Sequence, residues 1–301
     1  MTLNLTFLGT GSMVPTKQRN VQSIHLEHKG EGILVDCGEG TQRQMNIAGI
    51  NRLKVQKVLI SHWHGDHVSG LIGLIQTMGE IDKPFTLHIY GPKESKEKVK
   101  YLLKTCIHDL RIGIEVHELN PKGVETFYEN DDYKIECGSL KHSVPCLGYN
   151  FIIKDKIKID MKKVKALKLK EGKWLQKIQQ NKTVKVDGKE IKPEQISHIE
   201  KGKKVTFILD TVFCTNAIDI AMNADILISE SVYANDLQEL ATKYKHMTAH
   251  DAAKIAEKAK AKKLILTHFS QRYKNVKELV ADAKEVFKNV EASKDFMKIH
   301  L

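Results

Sequence analysis

A cluster of metal-binding side chains follows a short apolar stretch in the first quarter of the chain. Residues 62–67 read His-Trp-His-Gly-Asp-His, so three histidines and one aspartate lie within six positions. Neutral imidazole is a good zinc ligand, and a carboxylate adds negative charge and can bridge ions. One ion cannot easily use His62, His64, Asp66 and His67 together. The pattern therefore predicts a two-metal site with further ligands from distant strands.

Three distant residues are candidates for the missing ligands. His142, Asp210 and His268 each follow or end a predicted strand. Ligands at strand ends are held by a rigid sheet, which favours a fixed geometry. Taken alone, each could instead cap a helix or pack in the core. Together with the first motif they supply seven ligands, enough for two ions that share one carboxylate.

The elements that must position these ligands are short strands with helices between some of them. Strands are predicted at 3–8, 23–28, 33–36, 57–60, 86–90, 115–119, 133–138, 148–153, 204–209, 226–229 and 263–266. Helices are predicted at 69–77, 94–106, 216–223, 248–260 and 275–288. This order favours an α/β (α+β) fold with two packed mixed sheets flanked by helices over a single parallel sheet. A doubly wound nucleotide-binding fold is disfavoured, because Gly9 and Gly11 are not followed by a third glycine that opens a helix.

Positive charge is concentrated in one segment, residues 154–192. It holds 14 lysines and five acidic residues, so it carries a net charge of +9 out of +11 for the whole chain. Asp160 is predicted to cap a short helix, and residues 182–192 to form a hairpin that turns at Asp187-Gly188. Concentrated lysine suggests a nucleic-acid backbone as partner. A solubilising surface is the open alternative. We predict a basic arm inserted into a single domain that spans residues 1–301.

Composition limits where the protein acts. No apolar run approaches the length of a membrane helix, and the first residues lack a signal-peptide pattern, so no membrane association is expected. Five scattered cysteines without a Cys-x-x-Cys pair predict buried thiols in a reducing compartment, which we take to be the cytoplasm.

Four motifs occur together in this chain. They are the metal motif with its three distant partners, Phe-Leu-Gly-Thr-Gly-Ser at 7–12, Val-Pro-Thr-Lys-Gln-Arg-Asn at 14–20 and Asp-Cys-Gly-Glu-Gly-Thr-Gln at 36–42. Together they closely resemble the short form of ribonuclease Z, a tRNA 3′-processing endonuclease of the metallo-β-lactamase superfamily. The loop at 14–20 is more specific than the metal motif, which many hydrolases share. The resemblance implies the αββα sandwich of that superfamily.

The resemblance also implies roles for individual residues. His62, His64 and His142 would bind one zinc ion, and Asp66, His67 and His268 a second, with Asp210 shared between them. Asp66 would act as the general base, and His246, paired with Glu230, would protonate the leaving group. Ser229, Ser231 and Val232 depart from the His-Glu-Ala-Thr pattern usual around that glutamate. Manganese is an open alternative to zinc.

The implied reaction is two-metal hydrolysis of a phosphodiester in precursor tRNA. It removes the 3′ trailer and leaves a 3′-hydroxyl on the tRNA and a 5′-phosphate on the trailer. The resemblance further implies a homodimer. It also implies tRNA contacts by Lys17 and Arg19 and by the arm, where Gly172-Lys173 stands in place of the usual Gly-Pro. Asp36 could orient a ligand histidine or serve as a turn residue before Gly38.

Three other functions remain open from the sequence alone. A small-molecule phosphodiesterase or arylsulfatase would share the metal site but would have little use for a basic arm. A metal-free RNA-binding relative is disfavoured because all seven ligand positions are filled. The lysine-rich segment could also serve dimerisation instead of RNA binding.

Overall fold

The computed structural model describes residues 3–79, 85–107 and 111–301. The strands are β1 (Leu3–Gly9), β2 (Ser23–His28), β3 (Glu31–Val35), β4 (Val55–Leu59), β5 (Thr86–Gly91), β6 (Gly113–Glu118), β7 (Glu125–Glu129), β8 (Tyr133–Leu140), β9 (Cys146–Ile153), β10 (Lys156–Ile159), β11 (Val184–Val186), β12 (Lys189–Ile191), β13 (Ser197–Glu200), β14 (Lys204–Ile208), β15 (Ile226–Glu230), β16 (Leu264–Thr267), β17 (Val290–Ala292) and β18 (Lys298–His300). The helices are α1 (Thr41–Ala48), α2 (Gly65–Val68), α3 (Leu71–Gly79), α4 (Ser95–Lys104), α5 (Met161–Ala166), α6 (Trp174–Gln179), α7 (Pro193–Ile196), α8 (Thr215–Ala221), α9 (Gln238–Tyr244), α10 (Ala249–Lys258) and α11 (Lys277–Val286), with 3-10 turns at Arg52–Lys54 and Asn235–Leu237.

Two seven-stranded mixed sheets organise the larger part of the described chain. Their strand orders are β18-β1-β2-β3-β4-β5-β6 and β17-β16-β15-β14-β9-β8-β7. The chain divides into two compact units, and the larger one comprises residues 1–128, 135–151 and 204–301.

Helices cover one face of each sheet. On the first sheet, Met45 of α1, Leu74 of α3 and Val99 of α4 pack with strand residues such as Val58 and Ile89. On the second, helices α8, α10 and α11 supply an alanine-rich surface to strands β14 to β17. Small side chains let these helices approach the sheet closely. The predicted fold class is therefore confirmed.

The opposite faces of the two sheets meet each other. The ring of Phe127 lies 4.9 Å from that of Tyr90 on β5 and 6.0 Å from that of Tyr149 on β9. Tyr149 is fully buried, and its hydroxyl donates a 2.7 Å hydrogen bond to the carbonyl of Ile60, just after β4. This contact ties the second sheet to the segment that carries the first metal motif.

Parallel pairing aligns the strand ends that carry the predicted site residues. β14, β15 and β16 are parallel neighbours, with Ile208 opposite Ser229 and Glu230 opposite Thr267. β3 and β4 are also parallel, with Val35 opposite Leu59. Since the carboxyl ends of parallel strands meet at one edge, the residues that follow them in each sheet lie side by side.

The smaller unit comprises residues 129–134 and 152–203 and has a core of its own. The predicted helix is present as α5, and the Asp160 side chain accepts hydrogen bonds from the backbone N–H groups of Lys162 and Lys163 at its start. The predicted hairpin is present as β11 and β12, with Asp187 and Gly188 at the turn.

One prediction about local structure is wrong, and five helices, α1, α2, α6, α7 and α9, were not predicted. Cys106 is exposed where a buried thiol was expected, because it lies just past the end of α4; the other four cysteines are buried. The helix predicted at 69–77 is present as α3, shifted by two residues, and the short helix α2 ends just before the predicted range. Helix α1 was missed because its sequence is mostly polar and gives little helical periodicity. No helix among the described residues is long and apolar enough to cross a membrane.

Candidate active site

The seven predicted ligands converge at the aligned strand ends. In the first group, His64 Nδ1 lies 2.9 Å from His62 Nε2 and 3.3 Å from His142 Nε2. Asp210 Oδ2 completes this group, at 3.5 Å from His62 Nε2 and 3.9 Å from His142 Nε2. Four potential ligand atoms therefore surround one point.

A second group lies on the other side of Asp210. His268 Nε2 is 3.2 Å from His67 Nε2 and 3.3 Å from Asp66 Oδ2. His67 Nε2 is also 3.5 Å from Asp66 Oδ2 and 3.6 Å from Asp210 Oδ1. The two oxygens of Asp210 thus face different groups, as expected of a shared carboxylate.

These distances fit the predicted metals. Ligand atoms about 2.0–2.1 Å from a tetrahedral zinc ion lie about 3.3 Å from one another. The separations in both groups, 2.9–3.9 Å, bracket that value. In addition, buried Asp210 Oδ1 and His268 Nδ1 have no hydrogen-bond partner among the described residues, although they are 3.1 Å apart. A buried carboxylate oxygen without a donor is costly unless a cation neutralises it. The residues present therefore fit two divalent metal ions.

Hydrogen bonds to the other ring nitrogens fix how the histidines face the site. His142 Nδ1 donates to the carbonyl of Lys245 at 2.9 Å, and His67 Nδ1 lies 2.6 Å from Asp36 Oδ2. Ser61 holds Asp36 in turn, through its backbone N–H and its hydroxyl, each at 2.7 Å. Each bond leaves Nε2 free for a metal. Asp36 therefore orients the ring of His67, a predicted ligand, which agrees with the first of its two predicted uses.

Charges around the site shift the pKa values of these groups. Burial alone would raise the pKa of Asp210, but the surrounding histidines, His268 first, hold it well below its usual range. Burial would likewise raise the pKa of Asp66, yet hydrogen bonds from His268 and His67 hold it well below the ordinary value. Both carboxylates are therefore ionised at neutral pH, the form that binds metal.

Three of the residues that line the site have left-handed backbones. Asp36, Asp210 and His268 have φ values of 59°, 33° and 58°. Such values are uncommon for residues other than glycine, and they cluster at functional sites where the surrounding structure imposes them. At the ends of β3, β14 and β16 they turn each side chain away from the strand direction and into the site.

Asp36→Asn is expected to weaken zinc binding about 10- to 100-fold, the usual cost of losing a partner behind a ligand histidine. Asparagine keeps the shape and tolerates the positive φ, so the change removes mainly the negative charge that polarises His67. Competition against a chelator of known affinity measures the effect. Exposed Asp236→Asn is the matched control, and equal affinity of wild type and Asp36→Asn would contradict the assigned role.

The two residues predicted to protonate the leaving group, His246 and its partner Glu230, lie beside the predicted metal ligands. Glu230 ends β15, is fully buried, and lies 3.2 Å from His246 Nδ1 through Oε2. The backbone N–H groups of Thr211 and Met247 donate to the same carboxylate at 2.6 and 3.1 Å. Burial would lower the pKa of His246, but Glu230 and Asp210 raise it to about 9. Both carboxylates therefore favour the protonated form of the imidazole.

The loop at 12–20 reaches the second ligand group. The backbone N–H of exposed Met13 donates to Asp66 Oδ2 at 2.8 Å, and the N–H of Ser12 donates to the carbonyl of Phe269 at 3.0 Å. The Arg19 guanidinium lies 5.4 Å from the centre of the Phe269 ring, whereas Lys17 is exposed. Arg19 is therefore held next to the residue that follows His268, whereas Lys17 extends into solvent.

Sequence reasoning missed an anchor of this loop near the end of the chain. Asp295 accepts hydrogen bonds from the Thr10 hydroxyl at 2.8 Å, the Asn20 backbone N–H at 2.7 Å and the Gln44 amide at 3.1 Å. No local pattern marks it, because its partners lie more than 250 positions away. Gly172 and Lys173 lie in the smaller unit and are exposed, just before α6.

Comparison with known proteins gives the family. A family model described as Anti-Pycsar protein Apyc1 matches residues 3–160. Ribonuclease Z of Methanothermobacter thermautotrophicus is 39% identical over 300 residues, which cover 99% of this chain and 97% of that protein. The crystal structure of human tRNase Z, short form, matches with a TM-score of 0.72 and 25% identity over 98% of both chains. The metallo-beta-lactamase fold protein YhfI of Bacillus subtilis shares the fold, with a TM-score of 0.72 at 20% identity and full coverage of both chains. The near-complete match to ribonuclease Z, together with the two ligand groups and the histidine–glutamate pair, places this chain in the ribonuclease Z family of metal-dependent tRNA-processing endoribonucleases.

Proposed function

We propose that this protein removes the 3′ trailer from precursor tRNA by two-metal hydrolysis, leaving a 3′-hydroxyl on the tRNA and a 5′-phosphate on the trailer. The observation that carries the proposal is the pair of ligand groups that share Asp210, with the His246 and Glu230 side chains in contact beside them. A phosphodiester needs positive charge on its non-bridging oxygens and a proton on its leaving oxygen, and this arrangement supplies both.

We assign one metal to His62, His64 and His142 and the other to Asp66, His67 and His268, with Asp210 between them. Two zinc ions per subunit suit this mixture of imidazole and carboxylate, and manganese is the alternative to test. When bound, the metals would lower the pKa of a water and offset negative charge on the phosphate.

The protein groups would handle the two proton transfers. Asp66 is ionised and 12% exposed, so it can accept a proton from the attacking water. Its low pKa limits its strength as a base, so Asp66→Ala should act in large part through lost metal binding. His246 would donate its Nε2 proton to the departing 3′ oxygen. Glu230 would hold the imidazole in the orientation and charge state that this donation requires.

RNA binding would use the smaller unit and the loop at 12–20. Eleven exposed lysines between residues 162 and 192 form no ion pair among the described residues, in contrast to Lys154 and Lys156, which pair with Glu129 and Asp132. Unpaired lysines can replace the counterions of an RNA backbone without first breaking a salt bridge. Lys17 and Arg19 would contact the RNA near the cleaved bond. We propose the segment 154–192 as the tRNA-binding arm.

Neutralising the arm should weaken tRNA binding without harming the chemistry. For a variant with Lys168→Gln, Lys170→Gln and Lys173→Gln, we expect the slope of log affinity against log salt to fall by about one per lost phosphate contact. Hydrolysis of bis(p-nitrophenyl) phosphate should be unchanged, because that substrate has no RNA backbone for the lysines to bind. Filter binding at several salt concentrations measures the slope.

The control removes the same charge from the larger unit, through Lys258→Gln, Lys284→Gln and Lys288→Gln. All three lysines are exposed, so the net charge falls equally in both variants. A general charge effect would weaken tRNA binding in both. Equal salt slopes in the two variants would assign the lysines of the arm to solubility alone.

A tRNA precursor with a 3′ trailer and a 5′ label tests the reaction itself. The purified protein, incubated with zinc and then with manganese, should yield one product of tRNA length, and Asp66→Ala should not. Failure with both metals, while bis(p-nitrophenyl) phosphate is hydrolysed, would instead indicate a small-molecule phosphodiesterase. The family resemblance also leads us to propose a homodimer in the cytoplasm, which sedimentation and localisation would test.

A further inference from the structure

A second group of metal-type ligands lies on neighbouring strands outside the active site. β5 and β6 are parallel, with His88 opposite Glu115 and Tyr90 opposite His117. The residues that alternate with them along the two strands pack into the core under the helices: Leu87, Ile89, Ile114 and Val116. His88, Glu115 and His117 therefore share the other face of the sheet. None of them is a ligand, or a hydrogen-bond partner of a ligand, in the active site described above.

The ligand atoms of the three residues point at one another. His88 Nδ1 lies 3.2 Å from His117 Nε2 and 3.4 Å from Glu115 Oε2, and His117 Nε2 lies 3.8 Å from the same oxygen. Three ligands of a tetrahedral zinc ion would be about 3.3 Å apart. The distances among these three ligand atoms thus match those within the two ligand groups of the active site, and the three residues belong to neither of those groups.

Packing holds the rings in place. The His117 ring stacks on Tyr90, with centroids 4.5 Å apart and planes 16° from parallel, and lies 5.5 Å from the His88 ring at 30°. Tyr90 is buried, so the stack rests on a fixed base. The side chains of His88 and His117 keep 32% and 37% exposure, which leaves a path for an ion and room for a water.

Two cations lie near this group: burial, His88 and the charge of Lys96 lower the pKa of His117, and Lys57 is opposite His88 on β4. Its ammonium group is ion-paired with Glu31 and lies 4.1 Å from the centre of the Tyr128 ring. Its charge is therefore largely balanced. Glu115 supplies a negative charge at the site itself, and a carboxylate oxygen is a common zinc ligand.

We propose that His88, Glu115 and His117 form a third zinc site on the chain, with a water as fourth ligand. The ion would join β5 to β6 at the edge of the first sheet, where β6 has no further strand beside it among the described residues. Partial exposure makes the site exchangeable, so zinc should leave it before leaving the buried catalytic groups.

Metal counting tests this directly. The full-length protein is dialysed against a zinc buffer of fixed free concentration, and bound zinc per chain is measured by mass spectrometry of the metal. His88→Gln with His117→Gln, and separately Glu115→Gln, should each bind one zinc fewer than wild type. His198→Gln, which changes an exposed histidine on β13, is the control and should lose none. Equal zinc content in wild type and both test variants would overturn the proposal.

Chemical protection gives a second measurement on the unaltered protein. Diethyl pyrocarbonate modifies accessible neutral imidazoles, and peptide mass spectrometry locates the modified residues. Zinc should protect His88 and His117 and leave His198 reactive. Unchanged modification of His88 and His117 in zinc would show a stacked histidine pair without a metal and would also overturn the proposal. Neither measurement depends on tRNA cleavage, so failure here leaves the proposed function intact.

Discussion

Asp210→Asn should abolish most of the activity, with kcat/KM for precursor tRNA falling by about 10³-fold or more. The two oxygens of Asp210 face different ligand groups, so the substitution removes a charged ligand from both at once. Loss of that ligand weakens the charge stabilisation of the phosphate, which is worth several kcal/mol in two-metal sites. Bound zinc should fall from two catalytic ions to one or none.

The design of this variant separates metal loss from misfolding. Asparagine matches aspartate in volume and tolerates the positive φ at position 210. Asp219→Asn, on the exposed face of α8, removes the same charge nine residues later and should behave as wild type. Single-turnover cleavage and metal content are measured on the same samples. An Asp210→Asn protein with full metal content and full rate would refute the shared-ligand assignment.

His246→Gln should lower kcat for precursor tRNA by about 10²–10⁴-fold, the usual contribution of a general acid. Glutamine can still donate a hydrogen bond to Glu230 but cannot give a proton to the leaving oxygen. The effect should depend on the leaving group. Bis(p-nitrophenyl) phosphate releases a stable phenolate that departs without a proton, so its hydrolysis should be nearly unaffected.

This dependence distinguishes an acid from a residue that only supports the fold. A structural role would lower both activities together, and it would lower the thermal stability of the variant. His250→Gln, which changes another histidine four positions away at the start of α10, is the control for local packing. Equal losses on tRNA and on the p-nitrophenyl ester would remove His246 from the proton-transfer role.

Local patterns in the chain were sufficient to predict the candidate ligands and most strands of the two large sheets. The motif at 62–67 places four candidate metal ligands within six residues, so it can be recognised without knowing which distant residues contact it. The strands that precede Asp210 and His268 are short apolar runs, the strand that precedes His142 alternates apolar and polar residues, and the structure has strands at all three places. Helix α10 was predictable because its alanine and isoleucine residues recur on one face. Helix α1 was not, because its sequence is mostly polar and only three of its residues are buried.

Only the tertiary structure determined how the candidate metal ligands are brought together. Parallel pairing of β14, β15 and β16 brings Asp210, Glu230 and His268 to one edge, although 58 positions separate the first from the last. The Lys245 carbonyl that orients His142 and the Asp295 carboxylate that anchors the loop at 12–20 act across more than 100 residues. Left-handed backbones at Asp36, Asp210 and His268 are likewise imposed by packing, since an isolated chain would avoid them. Short-range periodicity encodes strands and helices, whereas pairing between distant strands, which has no local signature, determines the geometry of the site.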